Sequence, residues 1–205
     1  MFSKLKNPEC PARPDFNNAG DYLRRFGSYL EYMKGSQNPE PIYIRGDEEL
    51  KLALATLFES AQLSVHIMGN FKTNHVFSDS SVLKAAKAFL QRSGTTMKVL
   101  LEADDRETKA FVEALQKQFS DKIEVIKVSH QIGQKYDIRF VNADTLSYIY
   151  APDQNAAMVA RYVGKKFYKT AEAFKEENTL PVSLIGFFLK VCQQIDTQNP
   201  SQKPA

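Results

Sequence analysis

The sequence predicts an α/β fold: a mixed sheet, parallel in its first part with helices on both faces, ending in antiparallel strands. Three observations carry this. Short β-rich runs alternate with helical periods between residues 41 and 128, three strand-like runs then follow in quick succession, and an apolar helical segment ends the pattern. The 205 residues, 43% apolar and 25% charged, suffice for one domain with a sizeable core. That composition excludes a largely disordered chain, a collagen-like fibre and a disulfide miniprotein.

Residues 1–15, with Pro8, Pro11 and Pro14, read as an extended arm. Residues 15–34 have helical spacing through Tyr22, Phe26, Tyr29, Leu30 and Met33, and residues 35–39 stop the pattern. The arm and helix together, residues 1–40, precede the main domain at 41–195. Residues 41–45 form a short strand. Asp47 is placed to cap a helix whose apolar face is Leu50, Leu54, Leu57, Phe58 and Ala61. Residues 63–68 suit a buried strand. Residues 78–81 offer N-caps for a second helix carrying Val82, Ala85, Ala86, Phe89 and Leu90, closed by Gly94. Residues 97–101 are the next strand, and Asp104 and Glu107 have capping-box spacing before a helix with Phe111, Leu115 and Phe119. Residues 123–128 are the last strand of this βαβαβαβ rhythm, which predicts a parallel sheet through Val128.

Residues 136–141, 146–150 and 158–163 then read as hairpin-connected strands, because the links at 142–144 and 152–155 are short and polar. Phe167, Ala171 and Phe174 mark a further helix. Residues 180–191 are too short for a membrane span and carry Lys190, so they read as a buried terminal helix before a fraying tail at 196–205. No signal peptide opens the chain, and Cys10 and Cys192 read as free thiols, so a cytoplasmic protein is expected.

The candidates for chemistry are few. His66 falls within a strand and reads as a sheet-face histidine. His75 follows a strand end, where parallel sheets place their ligands, and His130 shares a loop with Gly133 and Lys135. No His/Cys/Asp/Glu cluster has metal-site spacing, and no glycine-rich nucleotide loop or nucleophile elbow occurs, so neither a metal nor a cofactor is expected. Arg161, Lys165, Lys166 and Lys169, interleaved with Tyr162, Phe167 and Tyr168, suit either a solvated helix face or a nucleic-acid surface. The net charge of +3 does not choose between them. Residues 16–34 are aromatic enough to dock on the chain's own domain, on a second copy or on another protein.

The stretch Asp137-Ile138-Arg139-Phe140-Val141-Asn142-Ala143-Asp144 has the spacing of a known signature, His-x-Lys-x4-Asp. With the order of elements over residues 41–178, it resembles one half of the phospholipase D-like fold. Asp137 stands in the place of the family's histidine, Arg139 in that of its lysine, and Asp144 matches its aspartate. Ala151-Pro152-Asp153-Gln154 occupies the place of the family's Gly-Ser-x-Asn without matching it. In that family the imidazole attacks phosphorus and the lysine offsets phosphate charge. A carboxylate at 137 repels a phosphodiester, so the resemblance implies a catalytically inactive binding or regulatory module. The alternatives are a divergent metal-independent phosphodiesterase with a dimeric site and a nucleic-acid-binding protein without catalysis. Arg139 keeps a fork suited to phosphate. Because period two puts Asp137 and Arg139 on one strand face, a structural ion pair and a ligand site both fit them. One half-domain also implies a two-fold homodimer, since the family builds its site from two halves.

Overall fold

The computed structural model describes residues 19–35, 41–68, 75–102, 105–128, 138–144, 147–151, 158–161 and 179–198. Helix α1 (Ala19–Gly35) places Phe26, Leu30 and Met33 on one face, and all three are buried. Strand β1 (Ile42–Ile44) leads into α2 (Asp47–Ser60). The two helices are tied at both ends: the Tyr22 hydroxyl donates to Glu49 near the start of α2, and Lys34 pairs with Glu59 near its end at 3.4 Å. Glu49 also accepts from the Arg45 amide at 2.7 Å. Asp47 is not the cap. Gly46 takes that position without a side-chain bond, and Asp47, Glu48 and Glu49 instead place negative charge on the first turn.

Strand β2 (Ser64–Met68), helix α3 (Ser80–Gln91), strand β3 (Thr96–Glu102), helix α4 (Arg106–Phe119) and strand β4 (Ile123–Val128) follow the sequence rhythm. Asp79 caps α3 by accepting from the Ser81 amide. Gly94, in the turn before β3, has φ 72°, a conformation that a residue with a Cβ adopts under strain. The expected capping box on α4 is displaced by one residue. Asp105 accepts from Thr108 N at 2.9 Å, while Glu107 accepts from Phe77 N at 2.7 Å and ties α4 to the turn before α3. The last elements are β5 (Arg139–Ala143), β6 (Ser147–Ala151), β7 (Met158–Arg161) and α5 (Thr179–Gln198).

The seven strands form one mixed sheet in the order β1-β7-β6-β5-β2-β3-β4. β2, β3 and β4 are parallel, and β5, β6 and β7 are antiparallel to their neighbours. The α/β expectation holds, with one correction. β1 does not join the parallel set; it pairs antiparallel with β7 at the far edge, Ile42 opposite Ala160. The local pattern that marks β1 as a strand says nothing about its partner. The described parts of the strands predicted at 136–141 and 146–150 are β5, which also takes in Asn142 and Ala143 of the expected link, and β6, which continues to Ala151. Helix α5 continues to Gln198, beyond the expected start of the tail at 196. The arm at 1–15 and the helix carrying Phe167, Ala171 and Phe174 lie outside the described residues.

The sheet separates two cores. On one face α1, α2, α3 and α4 close over residues such as Val65, Ile67, Val99, Val141 and Ile149. On the other, α5 lays Leu184, Phe188, Val191 and Ile195 over Met68, Leu100, Phe140 and Tyr148. The apolar stripe of α1 faces its own domain, the first of the three docking choices that the sequence leaves open. Among the described residues no helix is long and apolar enough to cross a membrane.

Candidate functional site

Strand β5 carries the signature stretch, and its register fixes where each residue stands. Met68 pairs with Phe140 and Val65 with Ala143, so β5 begins where β2 ends. Arg139 therefore lies at the carboxyl end of the parallel strands, the end at which open α/β sheets bind ligands. Its alternation with Phe140 puts it on the face of α1–α4 beside Val141, and it is 7% exposed. A guanidinium there offers a planar fork for a carboxylate or a phosphate.

Asp144 is elsewhere. It sits at the opposite end of β5, about 16 Å from Arg139 at ordinary strand rise. Its carboxylate accepts from three consecutive backbone amides at the start of β2: Gln62 N at 2.5 Å, Leu63 N at 2.7 Å and Ser64 N at 2.7 Å. Its own amide donates to Ser64 O at 3.0 Å. The backbone at Asp144 has φ 55°, a left-handed conformation that Asp tolerates better than most side chains. The carboxylate is thus a clamp between β2 and β5. The signature spacing does not gather Arg139 and Asp144 into one site.

Of the other candidates, His75 is exposed in the turn before α3 with φ 64°, and its carbonyl accepts from Ser78 Oγ at 3.1 Å. Arg161 ends β7 and lies beside Tyr148, whose phenol is pushed up by burial, with the neighbouring Arg161 opposing that rise. Asp137, His130, Lys135, Lys165, Lys166 and Lys169 lie outside the described residues. No group of three His, Cys, Asp or Glu side chains is placed to hold a metal among the described residues.

One arrangement could not be read from the sequence. On the α5 face, strand register aligns Arg161, Tyr148, Asn142, His66, Lys98 and Glu124 in a single row across six strands. Lys98 and Glu124 are paired at 2.6 Å. His66 is at the middle of this row, half-buried, with its ring edge-on to Phe188 of α5 at 5.2 Å between centroids. Its Nδ1 is buried and has no hydrogen-bond partner among the described residues. Burial, and secondarily the Lys98 charge, push its pKa down to about 4. Neighbouring Asp144 and Glu124 oppose that shift. The sequence marks His66 as a sheet-face histidine, but only the pairing of strands puts it in line with the other five.

No family model matches the chain, and no curated protein matches it. Among solved structures, the chain is similar to TrmBL2, an archaeal chromatin protein whose structure is described as showing a novel mode of DNA binding. The identity is 18% and the TM-score 0.44, over 77% of this chain and 57% of that one. The chain therefore spans less than two thirds of TrmBL2.

Proposed function

We infer that this chain is a non-catalytic phospholipase D-like module that binds a phosphate-bearing ligand at the carboxyl end of its sheet, with Arg139 as the anchoring cation. The observation that carries the inference is the division of labour along β5. Asp144, the signature residue that the sequence keeps, is occupied in holding the start of β2 through three amides. The position of the attacking histidine holds Asp137, and no His-x-Lys occurs anywhere in the chain. What the scaffold needs is retained, and what phosphorus chemistry needs is absent. Arg139 preserves the positive charge of the family's lysine in a form better suited to gripping a phosphate than to proton transfer.

The proposal includes the family's two-fold assembly, in which the start of β5 faces a second copy. Purified protein with chelator should leave a generic phosphodiester and single-stranded DNA uncut over hours. Calorimetry should record binding of orthophosphate or a short phosphodiester that Arg139→Met abolishes while circular dichroism stays unchanged. Turnover that disappears in His130→Ala would establish the divergent-enzyme alternative instead. Binding of DNA with a steep salt slope, insensitive to Arg139→Met, would favour a nucleic-acid surface elsewhere. Light scattering at micromolar concentration tests the dimer: a mass near 23.2 kDa, unchanged on concentration, would remove that part of the proposal.

A further inference from the structure

Helix α5 is the cover that the described residues place on the second face of the sheet, and it is also the last described element of the chain. It can leave that face without unthreading any described strand, because it follows β7, the last of them, and the larger core lies on the opposite side. Its central contact is with an ionisable ring. Phe188 is fully buried and meets His66 edge-on at 5.2 Å and Phe140 at 6.3 Å. In the docked state, Nδ1 of His66 is buried and makes no hydrogen bond among the described residues.

We propose that α5 is a proton-released cover: protonation of His66 lifts this helix from the sheet while the face closed by α1–α4 stays folded. The groups around the ring set the direction. β3 brings Lys98, whose positive charge opposes an imidazolium; β4 brings Glu124, but that carboxylate is already paired with Lys98. β5 brings the neutral Asn142 and, at its end, Asp144, whose oxygens are already held by three amides. β6 brings Tyr148 into the same row, and α5 brings Phe188, which meets His66 with a ring edge, and one turn on the half-buried Cys192, packed against the same core. A positive ring there gains little and loses its water.

The linkage has a definite sign. Burial, and secondarily Lys98, hold the His66 pKa at about 4 in the docked state, below the ordinary 6.5; lifting α5 relieves the burial, so the released form binds the proton more tightly. The docked state is fully favoured above pH 6.5 and loses ground as pH falls toward 4. Helix release would uncover Met68, Leu100 and Phe140.

Hydrogen exchange read by segment at pH 7, 5.5 and 4, corrected for intrinsic rates, tests the proposal on the full chain. The amides of 183–195 should lose at least tenfold in protection between pH 7 and 4, while α2 and α3 keep theirs. His66→Phe, which keeps an aromatic partner for Phe188 and cannot take a proton, should retain protection of α5 at pH 4. Unchanged α5 protection in the wild type, equal loss in His66→Phe, or loss of α2 and α3 at the same pH would each overturn it. A second readout avoids dependence on the variant folding well. The imidazole resonances of His66 should titrate in step with the ring resonances of Phe188, and an uncoupled titration would overturn it too.

Discussion

Replacing Asp144 with Ala removes a clamp whose parts can be counted. Three amides at 2.5–2.7 Å lose a charged acceptor, and the site is 9% exposed, so water replaces the carboxylate poorly. A hydrogen bond to a charged group contributes roughly 1.5–3 kcal/mol, but three donors sharing one carboxylate do not add fully. Holding Ala at φ 55° instead of Asp adds about 1 kcal/mol. The expected loss is about 4–5 kcal/mol, which for a chain of this size lowers Tm by roughly 10–15 °C. Asp144→Asn, which keeps one acceptor oxygen and tolerates the left-handed backbone, should lose about half as much. Urea unfolding of the three proteins at pH 7, followed by circular dichroism, measures both differences. A loss below 1 kcal/mol in Asp144→Ala, or Ala and Asn behaving alike, would refute the clamp and reopen a ligand role for this residue.

Two further outcomes follow from local geometry. Tyr22→Phe removes the hydroxyl that donates to Glu49, which keeps the Arg45 amide, and should cost about 1–2 kcal/mol in the same assay. Burial and the Glu49 contact push the Tyr22 phenol up to about 12, so an absorbance titration of the wild type should show one tyrosine ionising late that Tyr22→Phe lacks. Gly94→Ala meets open space at its Cβ yet must hold φ 72°, so it should destabilise by about 1 kcal/mol; a stabilised variant would contradict the strain argument.

The helices α2, α3 and α4 were legible because each buries one face, and burial of one face writes a 3.6-residue period into the sequence. Leu50, Leu54, Leu57 and Phe58 announce α2 in this way, as Val82, Ala85, Ala86 and Phe89 announce α3. The parallel order of β2, β3 and β4 followed from the intervening helices. Strand partners across long separations leave no such trace, which is why β1 could be seen as a strand while its neighbour β7 could not. The candidate site was half legible for the same reason. The period of two sets Arg139 on the face opposite Phe140 but does not say which core that face meets. The clamp at Asp144 depends on amides some eighty positions earlier, and the row through His66 depends on the registers of five strand pairs.

The pairing of β1 with β7 has a bearing on how the chain acquires its fold. Ile42 leaves the ribosome early, yet its partner Ala160 emerges only after every other strand of the sheet has been made. Until then β1 has no partner strand in the sheet. The closing contact is among the most non-local in the molecule, and such contacts form late because loop closure must be met before they are rewarded. Assembly of the sheet should therefore end, rather than begin, with the seating of β1. During synthesis, that strand is the part most dependent on the remainder of the sheet arriving.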